Sequence, residues 1–178
     1  MSYFSKFPKG NYDIAGNGNV KLVTDIMRRV KVRSKVLNET SLYDTYDVPS
    51  GETPEIIAHK HFGDPELHWV ILMTNNITDR YYGWPLSDSD FEKYVMNKYS
   101  NPAGIHHYEI TQSSGHTSPQ GPNDYSHKIE VNSNTPNATS VSNYEYEKRL
   151  QDKIRSIKLI QPQYLGLLIE EFERLIQK

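Results

Sequence analysis

Residues 46–86 read YDVPSGETPEIIAHKHFGDPELHWVILMTNNITDRYYGWPL, and this stretch carries the strongest folding signals in the chain. Thr53 can cap a helix, and Pro54 follows at the first helical position, where its missing N–H leaves no hydrogen bond unmade. Gly63 predicts the end of this helix, because glycine readily adopts the left-handed conformation found there. The pattern therefore predicts a first helix that begins at Pro54 and ends at Gly63.

A second helix is predicted immediately afterwards, with Asp64 as its cap and Pro65 as its first residue. It is apolar on nearly every side, as is typical of a buried helix. Its apolar residues are Leu67, Trp69, Val70, Ile71, Leu72 and Met73. The Asn pair at 75–76 ends this helix. The extended residues 46–48 and Ile77 can pair as short strands, so we predict a strand–helix–helix–strand core.

The N-terminal flank carries weaker signals. Residues 1–19 are rich in Gly, Asn and aromatic residues, and they predict an extended arm that docks on its own domain or on a neighbour. Residues 20–28 fit a strand or a short helix, and residues 31–36 fit a strand. The basic stretch 28–35 (RRVKVRSK) alternates valine with charged residues. We expect it to be a solvated strand face, with contact to an acidic protein or, less favoured, a phosphate backbone as alternatives.

The C-terminal flank combines helix and strand signals. Ser87 and Asp90 have capping-box spacing, which predicts a helix start. Two alternating runs, 105–110 and 127–131, can pair as a hairpin across a long polar loop. The remaining predicted elements are a helix over 143–153 with Tyr146 and Leu150 facing inward, a strand or extended link over 155–160, and an amphipathic helix from Pro162.

These signals together predict an α+β chain. Its 178 residues suit one domain, or a small module with extensions. We divide it into an N-terminal arm with short strands (1–45), the strand–helix–helix–strand core (46–86), a helix (87–100), a loop or hairpin insertion (101–140) and a C-terminal helical segment (141–178).

The composition argues against several functional classes. The net charge of −2 gives no electrostatic case for nucleic-acid binding. The lack of cysteine excludes disulfides and thiolate metal sites, and it favours a reducing compartment. The N-terminus has no apolar signal core, and no run is long enough to cross a membrane. We therefore expect neither a nucleic-acid partner nor a membrane partner.

The seven histidines do not form a recognisable metal pattern. His59 and His61 are two residues apart in a helix, so they point in different directions. His106 and His107 are adjacent in a predicted strand and are expected on opposite faces. No phosphate-binding loop or nucleophile motif is visible. We therefore predict no enzyme activity, no metal site and no cofactor.

Aromatic side chains are the main candidates for a functional surface. Tyr81, Tyr82 and Trp84 surround Gly83. They either pack back on the two helices or form an anchor patch of the kind that dominates protein interfaces, and both can hold for different rings. The other interface candidates lie in the arm and the terminal helix: Tyr3, Phe4, Phe7, Leu168 and Phe172. We expect this helix to pack on its own domain, with a bundle with neighbouring chains as the alternative.

The core resembles the LysM domain in the order and spacing of its residues. The matching residues are Gly51-Glu52-Thr53, Ile56-Ile57-Ala58, Phe62-Gly63-Asp64-Pro65, Leu67, Trp69 and Asn75-Asn76-Ile77. The resemblance implies a glycan groove between two loops, formed by Gly51, Glu52, Thr53, Asn76 and Ile77. Residues 79–85 (DRYYGWP) depart from the Pro-rich, Gly-containing closing turn of a carbohydrate-binding LysM domain.

A longer set of residues points to a narrower family. Asp64–Val70 (DPELHWV), Met73, the Asn pair at 75–76 and Tyr81–Trp84 (YYGW) resemble the LysM-containing baseplate wedge proteins of T-even-like contractile-tailed phages, the baseplate wedge protein 53 family. The resemblance implies a structural protein that clamps neighbouring wedge proteins and helps join wedges around the central hub.

This resemblance also implies a setting. The partners would be other wedge proteins, with the central hub as a further candidate. Multiple copies would occupy a symmetric assembly in the tail baseplate of the virion, after synthesis and assembly in the host cytoplasm. The alternative function is a LysM-type module that binds peptidoglycan.

Overall fold

The computed structural model describes residues 3–33, 36 and 38–178, and it forms two compact units. The first unit combines Met1–Pro85 with Ile154–Lys178, and the second is Leu86–Lys153. Helices and strands occur in both units, which confirms the predicted α+β class. Within the described ranges, no helix is long and apolar enough to cross a membrane.

The strands of the first unit form two separate antiparallel pairs. Strand β1 (Lys9–Tyr12) pairs with β2 (Lys21–Thr24), and β3 (Tyr43–Asp47) pairs with β7 (Ser156–Ile160). Buried side chains alternate with exposed ones along the first part of β7, as expected for a strand with one face on the core. The strand predicted over 155–160 is therefore confirmed.

The helices of the first unit agree in part with the predicted capping residues. They are α1 (Pro54–Phe62), α2 (His68–Thr74), α3 (Arg80–Gly83) and α6 (Pro162–Ile176). The Thr53 hydroxyl accepts the Ile56 N–H at 3.4 Å, and Gly63 ends α1 with φ +79°. Asp64 caps as predicted, by accepting the Glu66 N–H. It starts a short 3₁₀ turn, however, so α2 begins later than predicted.

The predicted pairing of residues 46–48 with Ile77 is wrong. Ile77 lies outside any strand, and its N–H donates to the Leu72 carbonyl at 2.8 Å, which continues the hydrogen bonding at the end of α2. Strand β7 lies beside β3 instead, with Tyr46 opposite Ile157. The core is thus closed by a strand far along the chain, which a local pattern does not reveal.

The Asn75 side chain binds the edge of β7 that faces away from β3. Its Nδ2 donates to the carbonyls of Ile71 at 2.9 Å and of Lys158 at 2.8 Å. Its Oδ1 accepts the Lys158 N–H at 2.8 Å. The amide therefore presents a donor and an acceptor as a neighbouring strand would. It ties the end of α2 to β7 and covers part of an otherwise open sheet edge.

The core of the first unit has an aromatic part and an aliphatic part. The aromatic part centres on Trp69 and Phe172, whose ring centroids are 4.7 Å apart. The aliphatic part includes the buried side chains of Ile57, Ile71 and Ile157, from α1, α2 and β7. Full burial of one such aliphatic side chain stabilises the fold by about 1.5–3 kcal/mol. Helix α6 carries Phe172, so it packs on its own domain, as expected.

The N-terminal residues form a turn and a hairpin, so the single extended arm predicted over 1–19 is wrong in shape. Residues Tyr3–Lys6 form a 3₁₀ helix, and the hairpin of β1 and β2 follows. Tyr3 and Phe7 dock on the aromatic core, which places the start of the chain on its own domain. Burial of these apolar side chains holds the segment against the core of its own unit, whereas an extended arm would project away from it.

The strand predicted over 31–36 is absent at residues 31–33, and the next two positions lie outside the described residues. Arg29, just before this segment, is hydrogen-bonded to another part of the unit. Its guanidinium donates to the Asn76 side-chain carbonyl at 3.1 Å, so the segment is held by the loop after α2 and has no partner strand in the described part.

The second unit contains helices beside a three-stranded sheet. Its elements are α4 (Asp88–Lys98), β4 (Ile105–Gln112), β5 (His127–Val131), β6 (Thr139–Ser142) and α5 (Asn143–Arg155). The sheet order is β5-β4-β6, so the predicted hairpin of β4 and β5 is confirmed. Strand β6 was not predicted, because TSVS contains a single apolar residue. Ser87 caps α4 by accepting the Asp90 N–H.

Helix α5 turns a different face inward from the one predicted. Tyr146 is half-buried, whereas Leu150 is exposed, so the inward orientation predicted for Leu150 is wrong. The buried position belongs to Glu147. Its carboxylate accepts hydrogen bonds from Lys98 at 2.8 Å and from the Tyr99 hydroxyl at 2.7 Å, and these contacts compensate for its burial.

Candidate protein interface

Helix α3 presents two adjacent tyrosines to solvent. The Tyr81 side chain is 82% exposed and that of Tyr82 is 83% exposed. Asp79 fixes the start of this short helix, because its carboxylate accepts the N–H groups of Tyr81 at 2.8 Å and of Tyr82 at 3.3 Å. The two rings therefore stand on a backbone whose N-terminal donors are satisfied.

The other end of α3 is held against the core. A Cβ added to Gly83 would lie 2.9 Å from Cγ2 of Ile77, so this close approach requires glycine. Trp84 is buried, and its Nε1 donates to the Glu52 carbonyl at 2.8 Å. Of the aromatic cluster around Gly83, Trp84 packs back on the core while the two tyrosines remain free.

The turn before α1 is also held in place. The Glu52 carboxylate contacts Lys60 Nζ and accepts the Tyr46 hydroxyl at 2.7 Å. The hydrogen bond from Lys60, together with that from Tyr46, lowers the pKa of Glu52. The hydrogen bond to Glu52, with burial, raises the pKa of Tyr46 to about 12. Gly51 has φ +81°, which the tight turn requires.

The residues of the predicted glycan groove lie on two loops, and residues 83–84 contact both of them. Trp84 is hydrogen-bonded to Glu52 in the first loop, and its neighbour Gly83 abuts Ile77 in the second. Thr53 is used as a helix cap, and Asn76 accepts a hydrogen bond from Arg29. The Glu52 carbonyl, the Thr53 hydroxyl and the Asn76 side-chain carbonyl are therefore engaged in internal contacts.

The remaining interface candidates are distributed between core and surface. Tyr3 lies 5.3 Å from Trp69 and 5.6 Å from Phe172 between ring centroids. Phe7 and Phe172 are buried, so in this chain they are core residues, and Leu168 is half-buried. Phe4 is 57% exposed beside the Tyr3 ring. The candidates therefore separate into exposed rings, on α3 and at Phe4, and side chains that are buried or half-buried in the first unit.

The second unit contains a carboxylate that sequence reasoning did not single out. Glu109 on β4 accepts two hydrogen bonds from the Arg149 guanidinium, at 2.7 and 3.1 Å, and one from Lys128 at 2.7 Å. The hydrogen bonds from Arg149, with a smaller contribution from Lys128, lower the pKa of Glu109 to about 2. Glu109 is buried and hydrogen-bonded to cations from two other elements, so it joins β4, β5 and α5. Its carboxylate is not poised to transfer a proton.

Glu147 forms a second such centre. Burial opposes its ionisation, but the hydrogen bonds from Lys98 and Tyr99 outweigh burial and lower the pKa of Glu147. Hydrogen bonding to Glu147 likewise raises the pKa of Lys98. No single sequence motif marks either centre, because the partners come from different elements.

The expectation that His106 and His107 lie on opposite faces is wrong. Their Nδ1 atoms are 2.9 Å apart, because the register of β4 against β6 shifts at this point as in a β-bulge. The His106 ring stacks on Tyr146 with centroids 3.9 Å apart. In the described part of the chain, no group of three or more His, Cys, Asp or Glu residues is arranged to hold a metal ion.

The first unit thus exposes two tyrosine rings on a helix held at both ends, and the buried carboxylates of the second unit are paired with cations. The family model for base plate wedge protein 53 matches residues 2–175. The chain therefore belongs to the base plate wedge protein 53 family, and it is a structural protein of a phage tail baseplate.

A curated relative agrees with this assignment. The chain is 35% identical over 82 residues to baseplate wedge protein gp53 of Enterobacteria phage T4. The similarity covers 46% of this chain and 42% of the relative, so it spans less than half of either protein.

Proposed function

We propose that this chain fastens neighbouring wedge proteins to each other and helps to join wedges around the central hub during virion assembly. The observation that supports this most directly is the pair Tyr81 and Tyr82, both more than four-fifths exposed on α3. Tyrosine has two side-chain torsions and stands here on a backbone that Asp79 holds, so little conformational freedom is lost on binding. Tyrosine is also enriched at protein interfaces.

The tyrosine pair offers a useful amount of binding energy. Burying a tyrosine removes on the order of 150 Å² from water, which corresponds to about 3–4 kcal/mol before the costs of association. In the free chain this energy is not gained, because both rings face solvent. Several such modest contacts on one chain would hold an assembly more tightly than one contact alone.

The proposal extends to the core and its setting. The core 46–86 is LysM-like, with β7 as its second strand and α1 and α2 between the paired strands. The chain acts in multiple copies in the baseplate, after synthesis and assembly in the host cytoplasm. Its partners are other wedge proteins and the hub, not nucleic acid or membrane. It has no enzymatic role and no cofactor. This is consistent with the pairing of Glu109 with Arg149 and of Glu147 with Lys98.

The alternative function, peptidoglycan binding by a LysM-type groove, has less support. The groove loops are engaged by Gly83 and Trp84, which leaves fewer free polar groups for a sugar. Sedimentation with purified peptidoglycan separates the two functions. Fastening alone predicts that the chain stays in the supernatant, whereas saturable co-sedimentation would support the glycan alternative.

Co-expression with the other wedge proteins of the same phage tests the fastening function. We expect the wild-type chain to co-purify in a stable complex, and the double variant Tyr81→Ala/Tyr82→Ala to be depleted from it. Tyr125→Ala is the matched control, because Tyr125 is also an exposed tyrosine but lies in the second unit. Failure of the folded wild-type chain to join any complex would overturn the proposal.

A further inference from the structure

We infer that a basic-rimmed apolar groove on the first unit binds a short acidic segment of a neighbouring baseplate protein through apolar anchor residues. The inference rests on the proposed fastening function, but it concerns a different surface from α3. The groove has a volume of about 810 Å³. Helix α2 contributes Trp69, Leu72 and Met73 to its lining, and the N-terminal turn contributes Phe4.

The apolar groups at this groove are unusually exposed. Met27 is 90% exposed, Ile26 is 63% exposed and Phe4 is 57% exposed, and all three line the same cavity. Single exposed apolar residues are normal on a protein surface, but several around one cavity mark a binding surface. The volume accommodates a few side chains, which suits a short segment anchored by apolar residues.

The charges at the groove select the chemistry of the occupant. Arg28, Arg29 and Lys31 line it, against the single lining carboxylate of Glu66. Two of these cations are positioned by the fold. Arg28 donates to Asp25 and to the carbonyl that ends α6, and Arg29 donates to the loop after α2. Lys31 is exposed. Because Asp25 is ion-paired with Arg28, the excess of positive charge beside the apolar surface comes from Arg29 and Lys31. This excess complements an acidic peptide that carries apolar anchors.

A peptide fits these observations better than a phosphate backbone. Nucleic-acid binding relies on a broad basic surface, whereas here the cations border a cavity lined by Trp69 and aliphatic side chains. The whole chain also carries a net charge of −2. The basic stretch that the sequence made conspicuous therefore acts as the rim of an apolar groove.

The test starts with overlapping synthetic peptides that cover the other baseplate proteins of the same phage. Peptides that bind the full chain are then titrated into isotope-labelled protein, and the two tryptophan indole N–H signals are followed. Trp69 lines the groove, whereas Trp84 does not. We expect acidic peptides with apolar anchors to shift the Trp69 signal and to leave the Trp84 signal in place.

Matched variants assign the binding to the groove. Met27→Asp and Lys31→Glu are expected to weaken peptide binding by about tenfold each, because they place negative charge where the peptide is acidic. Met96→Asp and Lys148→Glu make the same changes at exposed positions of the second unit and should leave affinity within about twofold. All four positions are exposed, so the variants should fold, and their amide spectra verify this.

Several results would overturn the inference. These are the absence of any baseplate peptide that shifts the Trp69 signal, equal binding of neutral or basic peptides, and a Trp69 shift caused by a DNA oligonucleotide instead of a peptide. Self-association of the wild-type chain that Met27→Asp abolishes would replace the peptide with a second copy. Failure of the groove is distinguishable from failure of fastening. In the former case, Lys31→Glu joins the co-expressed complex like wild type.

Discussion

The side-chain bridge from Asn75 to β7 predicts a measurable loss of stability in Asn75→Ala. The substitution removes two hydrogen bonds to the Lys158 backbone and one to the Ile71 carbonyl. The Ile71 carbonyl keeps the Asn75 N–H as a partner, and water can reach the exposed Lys158. We therefore count only the two bonds to Lys158, at about 0.5–1.5 kcal/mol each, and expect a loss of about 1–3 kcal/mol.

Urea denaturation followed by tryptophan fluorescence measures this loss in the relevant unit, because Trp69 and Trp84 both lie in the first unit. Asn75→Asp keeps the acceptor for the Lys158 N–H but points a carboxylate at a carbonyl, so it should be no more stable than Asn75→Ala. Asn97→Ala, at an exposed position of α4, is the control and should stay within about 0.5 kcal/mol of wild type.

Unfolding of Asn75→Ala at the same urea concentration as wild type would contradict a stabilising role for this bridge. Hydrogen exchange provides an independent measurement. In the variant, the Lys158 amide should exchange faster, since the Asn75 oxygen that accepts its N–H is gone. An unchanged exchange rate would show that the bridge does not protect β7.

Three further predictions concern single residues. Gly83→Ala should lower the free energy of unfolding by about 1–3 kcal/mol through overpacking, because its Cβ would meet Ile77, and an unchanged urea midpoint would contradict the close approach. Thr53→Ala should cost about 1 kcal/mol in the same assay, since the cap on the Ile56 N–H is lost, and no cost would disprove that cap. Glu109 has a pKa of about 2 against an ordinary 4.5, so its stabilisation is complete above about pH 4.5 and is lost as the pH falls towards 2. Glu109→Gln should flatten this acid dependence in the amide signals of β4, and an acid limb identical to that of wild type would contradict the assignment.

The local helix signals were reliable because they depend on adjacent residues. Thr53, Pro54 and Gly63 fix α1 through a hydroxyl, a ring and a left-handed backbone, all readable from the sequence. The strand over 155–160 was readable but its pairing was not, since β3 and β7 are joined by hydrogen bonds across a long intervening stretch. Ile77 is as apolar as a strand residue, but its N–H is already used at the end of α2.

The candidate interface was predictable in part. The aromatic cluster around Gly83 is conspicuous in the sequence. Which of its rings is buried and which are exposed depends on a long-range hydrogen bond, from Trp84 to the Glu52 carbonyl. The groove could not be foreseen, because it brings Met27 beside α2. The basic stretch was visible, but its partner elements were not.

A density map of the assembled baseplate tests the fastening role most directly. If the chain fastens its neighbours, the Tyr81 and Tyr82 rings, which are exposed in the free chain, are covered by a neighbouring wedge or hub protein. A map in which both rings face solvent in every copy of the chain would contradict this role.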